Sequence, residues 1–404
     1  MKIQLIEPTC EAQRAFQPIW VPRLGLPMLA ALTPEGFDVS IVDENAEEVE
    51  FRRDIDLVGI TALTNTIHRA YQIADTFRNL GIRTVMGGIH VSALPEEALE
   101  HCDAVVVGEA EEAWPRLLED LARGRLQRTY RSESRPSLAG LPRPRWDLYK
   151  EGSDYESLNV VQATRGCPHN CTFCSVTPFF GHQIRRRPIQ EVVDEVIQLE
   201  GNVLQFVDDN VTGHGEYSKD LFRAMIPVRK NWLGQSDITL ADDEEMLDLA
   251  RQSGCYCLLV GLESISQRNL QRIGKKHNRV DKYAQAIGKI QEKGIQFYPS
   301  MMFGLDDDDE DSFADTVQFL RENGVRTGAF CIVTPLPGTA YFRQLEEEDR
   351  LLTRDWSSYN YFKAVHKPKK MSVEQLEGGL MWVYQQMTGG KNLEDFLTES
   401  NYLY

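Results

Sequence analysis

The stretch TRGCPHNCTFCSV, residues 164–176, carries three of the chain's eight cysteines. Cys167, Cys171 and Cys174 follow the spacing C-x3-C-x2-C. Thiolates bind soft metals, and structural zinc sites close with four ligands, commonly two separated C-x2-C pairs. Three cysteines in one loop leave a fourth position open. That suits a 4Fe-4S cluster with one iron free to hold another molecule. Two plainer readings stay open from the spacing alone: thiols that only pack a tight loop, and a zinc site with a distant fourth ligand.

The sequence around this loop alternates strands and helices. LNVVQATRG runs as a strand straight into the cysteines. Five further strand patterns follow: NVLQFVDDN, GQSDITLA, CYCLLVGLES, IQFYPSMMFGL and TGAFCIVTPLPG. Helical spacing separates them, as in IQEVVDEVIQLE and EDSFADTVQFLRENG. Six strands alternating with helices predict an open barrel with its ligand at the strands' carboxyl ends. Arg185 to Arg187 read as the start of the first barrel helix. Cys255-x-Cys257 places two thiols on one face of the fourth strand, where buried structural cysteine is the reading. The acidic run DDDDED (306–311) reads as a solvated turn and N-cap rather than a metal loop.

Upstream lies a second α/β unit. KIQLIEP, DVSIVD, DLVGITA, RTVMGG and DAVVVGE are short strands between amphipathic helical stretches. They predict a parallel, doubly wound sheet with a ligand crevice at the strands' carboxyl ends. The expected organisation is a Rossmann-like domain over 1–125, a Pro-, Ser- and Arg-rich linker over 126–155, the barrel over 156–350, and a helical, aromatic C-terminal segment over 351–404. The aromatics of that segment, among them Trp356, Tyr359, Tyr361, Phe362 and Trp382, either close the barrel mouth or form a small apolar plug.

Composition narrows the function. The chain has 404 residues, 42% apolar, with a net charge of −17. A nucleic-acid groove wants clustered Lys and Arg, which this chain lacks. No stretch approaches the roughly 20 apolar residues of a membrane span, and MKIQLIEPT breaks at Pro8 without a signal-peptide pattern. A cytoplasmic protein is expected, and the scattered Cys10, Cys102, Cys255, Cys257 and Cys331 do not form a disulfide framework.

With its motif after the first strand of a six-stranded partial barrel and Phe173 just before the third cysteine, the sequence resembles the radical S-adenosylmethionine (SAM) enzymes. The resemblance implies that Cys167, Cys171 and Cys174 hold the cluster and that its open iron chelates SAM. Electron transfer would cleave SAM to a 5'-deoxyadenosyl radical, with an electron donor such as flavodoxin or ferredoxin. His169 is then a bystander. By the same resemblance Asp208 and Asp209 in FVDDN, Gln235 and Ser236, Glu263 and Ser264 in VGLES, and Pro335 in TPLPGT are candidate SAM contacts. Asp208 and Asp209 stand where the family usually has Gly-Gly-Glu.

A Rossmann-like domain before such a barrel resembles the cobalamin (B12)-binding class of that family. VGITALTNT, GGIHVSALPEEAL and VVVGEAE carry the likeness. They supply Thr61, Leu63, Thr64, Gly87, Gly88, His90, Gly108 and Glu109 as candidate cobalamin contacts, with Leu63 or a neighbour under the cobalt. Neither His68 nor His90 has the Asp-x-His-x-x-Gly context of a cobalt-ligating histidine. The implied activity is methyl transfer from methylcobalamin to an unactivated carbon of a small-molecule substrate. Alternatives are cyclisation or rearrangement without methyl transfer, a domain that binds no cobalamin, and a non-catalytic metal- or cobalamin-binding module.

Overall fold

The computed structural model describes residues 1–9, 21–149, 155 and 157–388. Cys10 and the end of the C-terminal segment lie outside the described residues. The strands, in chain order, are β1 (Lys2–Glu7), β2 (Asp38–Asp43), β3 (Leu57–Thr61), β4 (Arg83–Gly87), β5 (Ala104–Val107), β6 (Thr129–Arg131), β7 (Val160–Val161), β8 (Thr164–Arg165), β9 (Arg185–Arg186), β10 (Val203–Phe206), β11 (Asn231–Ser236), β12 (Cys255–Glu263), β13 (Gln296–Phe303) and β14 (Ala329–Ile332).

The first sheet has the order β2-β1-β3-β4-β5-β6, and every neighbouring pair is parallel. The chain reverses its direction of winding between β1 and β3, which opens a crevice at the carboxyl ends of the strands. β3 (LVGIT) and β5 (AVVV), in the interior of the sheet, are short and almost wholly apolar, as strands covered on both faces require. Helix Ile67–Asn79 packs Ile67, Ala70, Tyr71, Ile73, Ala74 and Phe77 onto one face, while Trp114, Leu117 and Leu118 of helix Ala113–Ala122 cover the other. The predicted linker differs in one respect. Thr129–Arg131 adds a sixth strand beside β5, and Tyr130 is fully buried. Three residues are too few to show a period, so only the sheet edge selects the extended form.

The second sheet runs β14-β13-β12-β11-β10-β7, all parallel and sequential, the open six-stranded arrangement expected. β11 begins at Asn231, earlier than its sequence pattern suggested, because the preceding helix ends at Met225 and Pro227 allows only a 3-10 turn beyond it. Arg185 and Arg186 are not helical. They form β9, which pairs antiparallel with β8, and helix Ile189–Gln198 starts after Pro188. Pro188 bars the helical conformation for the residue before it.

Cys255 and Cys257 do not share a face. A register shift where β11 meets β12 places one extra residue there, so Cys255 packs among the helix-side core and Cys257 among residues inside the barrel. A β-bulge reverses the alternation that the two-residue spacing assumed. The acidic run is solvated only in its second half: Asp309, Glu310 and Asp311 are exposed where the turn enters helix Asp311–Glu322, whereas Asp306, Asp307 and Asp308 are engaged by the fold. Asp306 pairs with Arg350 at 2.8 Å and Lys369 at 2.7 Å, Asp307 with Arg272 at 3.2 Å, and Asp308 is buried on Asn269 Nδ2 at 2.6 Å. These acids fasten the turn after β13 to the C-terminal segment.

The aromatics of that segment separate. Trp356 and Tyr359 pack into the core of the first domain, and Trp356 Nε1 donates to Glu97 at 3.0 Å. Phe362 packs against the barrel core, Tyr361 reaches the barrel cavity, and Trp382 is 38% exposed. The segment therefore binds the two sheets together rather than forming one plug.

Candidate active site

β8 and β9 pinch the base of the cysteine loop. Gly166 follows β8 at φ 93°, and a Cβ there would lie 2.8 Å from the Gln183 carbonyl oxygen, so only glycine closes the loop. The loop docks on the barrel through Thr172, whose N–H donates to Ile273 O at 2.9 Å and whose carbonyl accepts from Tyr341 N at 2.8 Å. Cys167, Cys171, Phe173 and Cys174 all line one cavity of about 460 Å³ at the barrel's strand ends. That volume is within the range of small-molecule sites. Burial pushes the Cys167 thiol up to about 11 and the Cys174 thiol up to about 12. Three half-buried thiols converging on one space fit a bound iron cluster, whose positive charge displaces their protons.

Gln235, Ser236, Asp209 and Glu263 line the same cavity. Asp209 Oδ2 accepts from Gly166 N at 3.0 Å, and burial raises its pKa to about 6. Glu263 has φ 66° and receives Lys275 Nζ at 2.5 Å, both side chains buried. The cavity also holds His169, read from the sequence as a bystander, with residues that the sequence did not single out, His277 and Asp237 among them. His169 Nε2 lies 2.8 Å from Asp237 Oδ2 and its ring stacks on His277 at 3.5 Å. Leu259, Met302, Ile332, Val333 and Tyr361 supply apolar and aromatic wall. A polar rim at the strand ends and an apolar floor suit a nucleoside-bearing ligand beside a second, less polar one.

Three candidates stand elsewhere. Asp208 is fully buried and faces away from the cavity; its carboxylate accepts from Ala163 N at 3.0 Å and from Thr164 N and Oγ1, each at 2.5 Å. It ties the end of β10 to the start of the cysteine loop, because neighbouring residues leaving a strand point to opposite sides. Ser264 Oγ accepts from Ser266 N at 3.0 Å, shaping the turn before helix Gln267–Arg272. Pro335 is buried between Thr334 and Leu336, which do line the cavity.

A second cavity opens at the carboxyl ends of β3, β4 and β5. Thr61, Gly87, Gly88, Gly108 and Glu109 line it, with Leu24, Met28, Leu29 and Leu32 beside helix Gly25–Ala31 and with Trp114. Gly88 has φ 99°, and a Cβ there would meet Ala62 O at 2.6 Å. Gly88 thus packs directly on the Ala62 backbone, and the wall around it is broad and mostly apolar, which fits the flat face of a corrin. Leu63, Thr64 and His90 do not line it. His90 is buried, with Nδ1 3.2 Å from Thr64 Oγ1 and its ring 5.2 Å from Trp356. This pair braces the C-terminal segment. Its burial depends on Trp356, more than 250 positions away, and no local pattern signals that.

The segment carrying the cysteines lines both cavities. Gln162, Arg165, Phe179 and Phe180 complete the wall of the second one. Among the described residues no helix is long and apolar enough to cross a membrane.

Over residues 161–320 the chain matches the radical SAM superfamily, and over residues 20–118 the B12 binding domain. It is 30% identical over 364 residues to bacteriochlorophyllide d C-12(1)-methyltransferase of Chlorobaculum tepidum, covering 87% of this chain and 79% of that protein. Bacteriochlorophyllide d C-8(2)-methyltransferase of the same organism is 32% identical over 369 residues, covering 85% of this chain and 80% of that protein. Among solved structures, the radical S-adenosylmethionine methyltransferase TsrM from Kitasatospora setae, with cobalamin and a 4Fe-4S cluster bound, superposes with a TM-score of 0.70. The match covers 98% of this chain and 89% of that one at 16% identity, a likeness of fold.

Proposed function

The chain belongs to the cobalamin-binding radical SAM enzymes, and from that premise we propose that it is a C-methyltransferase acting on a small-molecule substrate. Its cofactors are a 4Fe-4S cluster, SAM and cobalamin. The single observation that carries the reading is the shared wall: the cysteine segment borders the barrel cavity with its thiols and the crevice of the first sheet with Gln162, Arg165, Phe179 and Phe180.

When bound, cluster and SAM supply a hydrogen-abstracting radical, and cobalamin carries the methyl group. Cys167, Cys171 and Cys174 would hold the cluster, and three thiolates for four irons would leave one iron for SAM. Asp209, Gln235, Ser236 and Glu263 orient SAM from the strand ends. Thr61, Gly87, Gly88, Gly108 and Glu109 form the corrin side. Leu259, Met302, Ile332, Val333 and Tyr361 present an apolar floor that excludes water from the reacting carbon. A small electron-transfer protein of the flavodoxin or ferredoxin type delivers the electron, in the reducing cytoplasm.

Anaerobic reconstitution tests this. Metal analysis is expected to find iron rather than zinc, and cobalamin is expected to co-elute with the chain. Incubation with SAM and a reductant should yield 5'-deoxyadenosine, together with S-adenosylhomocysteine up to the amount of bound cobalamin. Cys174→Ala should abolish the first product. Zinc in place of iron would overturn the reading. So would 5'-deoxyadenosine without any S-adenosylhomocysteine, the result that cyclisation chemistry predicts.

A further inference from the structure

Glu109 joins the two cavities. It follows β5 on the crevice wall, and its side chain is 2% exposed. Its carboxylate accepts from Arg165 Nη1 at 2.8 Å and from Arg185 Nη2 and Nη1 at 2.7 and 2.8 Å. Arg165 and Arg185 are directly opposed on β8 and β9, so one carboxylate grips both strands at the base of the cysteine loop. Arg165 also donates to Glu111 and to Gln162 Oε1, and both of these line the crevice. The residue after Arg165 is Gly166, whose N–H donates to Asp209 in the barrel cavity, and the next is Cys167.

The network is buried and charged, so each member's position depends on the others. Two of its atoms are buried without a hydrogen-bond partner among the described residues, Arg185 Nε and Glu111 Oε2, and only the second belongs to a residue that lines the crevice. A ligand bearing amide N–H groups, as cobalamin does on its side arms, can satisfy that oxygen. Filling the crevice would then hold Glu111, fix Arg165 between its two carboxylates, and fix the loop base that positions Gly166 and Asp209.

We propose that Glu109, with Arg165, Arg185 and Glu111, couples the two cofactor cavities, so that cobalamin in the crevice tightens SAM binding in the barrel. The inference rests on the assignment of cobalamin and SAM to these cavities. Glu109 is a positioning residue here. Linkage requires the effect to be reciprocal, with SAM tightening cobalamin by the same factor.

The test is a pair of SAM titrations of the cluster-reconstituted full chain under argon, with and without saturating hydroxocobalamin. For the wild type, SAM affinity is expected to rise about fivefold or more with cobalamin present. In Glu109→Gln that ratio should collapse towards one. Arg185→Met should do the same, although Arg185 lines neither cavity; this second variant serves where Glu109→Gln does not fold. A general loss of stability would lower both affinities without erasing their ratio. A wild-type ratio of one, or a ratio retained in either folded variant, overturns the proposal. A chain that takes up no cobalamin fails the functional assignment instead, an outcome seen directly in its absorption spectrum.

Discussion

Removing Lys275 isolates what the barrel's buried ion pair contributes. Lys275 and Glu263 are 7% and 6% exposed, and Nζ meets Oε1 at 2.5 Å. Burial alone would depress the Lys275 pKa, yet Glu263 and the nearby Cys171 thiol outweigh it and the net shift is upward. The ammonium is therefore charged in the fold. Lys275→Met leaves the buried Glu263 carboxyl group without its partner, in a backbone conformation (φ 66°) that already disfavours relaxation. Breaking a buried pair in this way costs about 3–5 kcal/mol. With a urea slope of about 3 kcal/mol/M, the midpoint of the cofactor-free chain should fall by roughly 1 to 1.7 M. Glu263→Gln added to Lys275→Met removes the unpaired carboxyl group and should recover at least about 2 kcal/mol of that loss. Equilibrium urea denaturation of the four chains closes the cycle. The reasoning is refuted if Lys275→Met unfolds within about 0.5 kcal/mol of wild type, or if the two substitutions add without interaction.

Further outcomes follow from other residues. His366 is fully buried, its Nε2 lies 3.1 Å from Gly304 O, and burial lowers its pKa from 6.5 to about 4. The unfolded chain takes up that proton first as pH falls, so the stability His366 contributes is present above 6.5 and lost towards 4, on the order of 3 kcal/mol. His366→Gln, which keeps a donor for Gly304 O, should flatten the acid limb of a stability-against-pH curve; an unchanged limb would show that the imidazole is not buried neutral. Gly88→Ala forces a Cβ to within 2.6 Å of Ala62 O at φ 99°, and is expected to lower cobalamin uptake at least tenfold while iron content stays at the wild-type level. Asp208→Asn sets an amide N–H2 against the Ala163 and Thr164 N–H donors, and thermal melting should report a loss of about 2–3 kcal/mol.

Much of this chain was legible in one dimension. C-x3-C-x2-C states its chemistry because ligand number and spacing are local, and the strands of both sheets are apolar runs bounded by glycine and charge. What misled the reading was always a contact with something distant. Leu63, Thr64 and His90 sit in a stretch whose neighbours do line the crevice, but Trp356 claims His90 for the core. Asp208 and Asp209 are chemically identical, and only the end of β10 decides that one ties the backbone of Ala163 and Thr164 while the other faces the cavity. The two cysteines of β12 lost their shared face to a bulge set by pairing with β11. The first half of the acidic run became a clamp because Arg350 and Lys369 fold back onto Asp306, while Asp309 to Asp311 stay exposed.

By itself the sequence determined the three thiols, the two α/β units and the order in which they occur, since each depends on residues within a few positions of one another. The tertiary structure alone decided which carboxylates face a cavity, and that Glu109 of one sheet grips the loop of the other. Burial, orientation and charge pairing are properties of the space between elements, and no spacing along the chain encodes which side chain that space will receive.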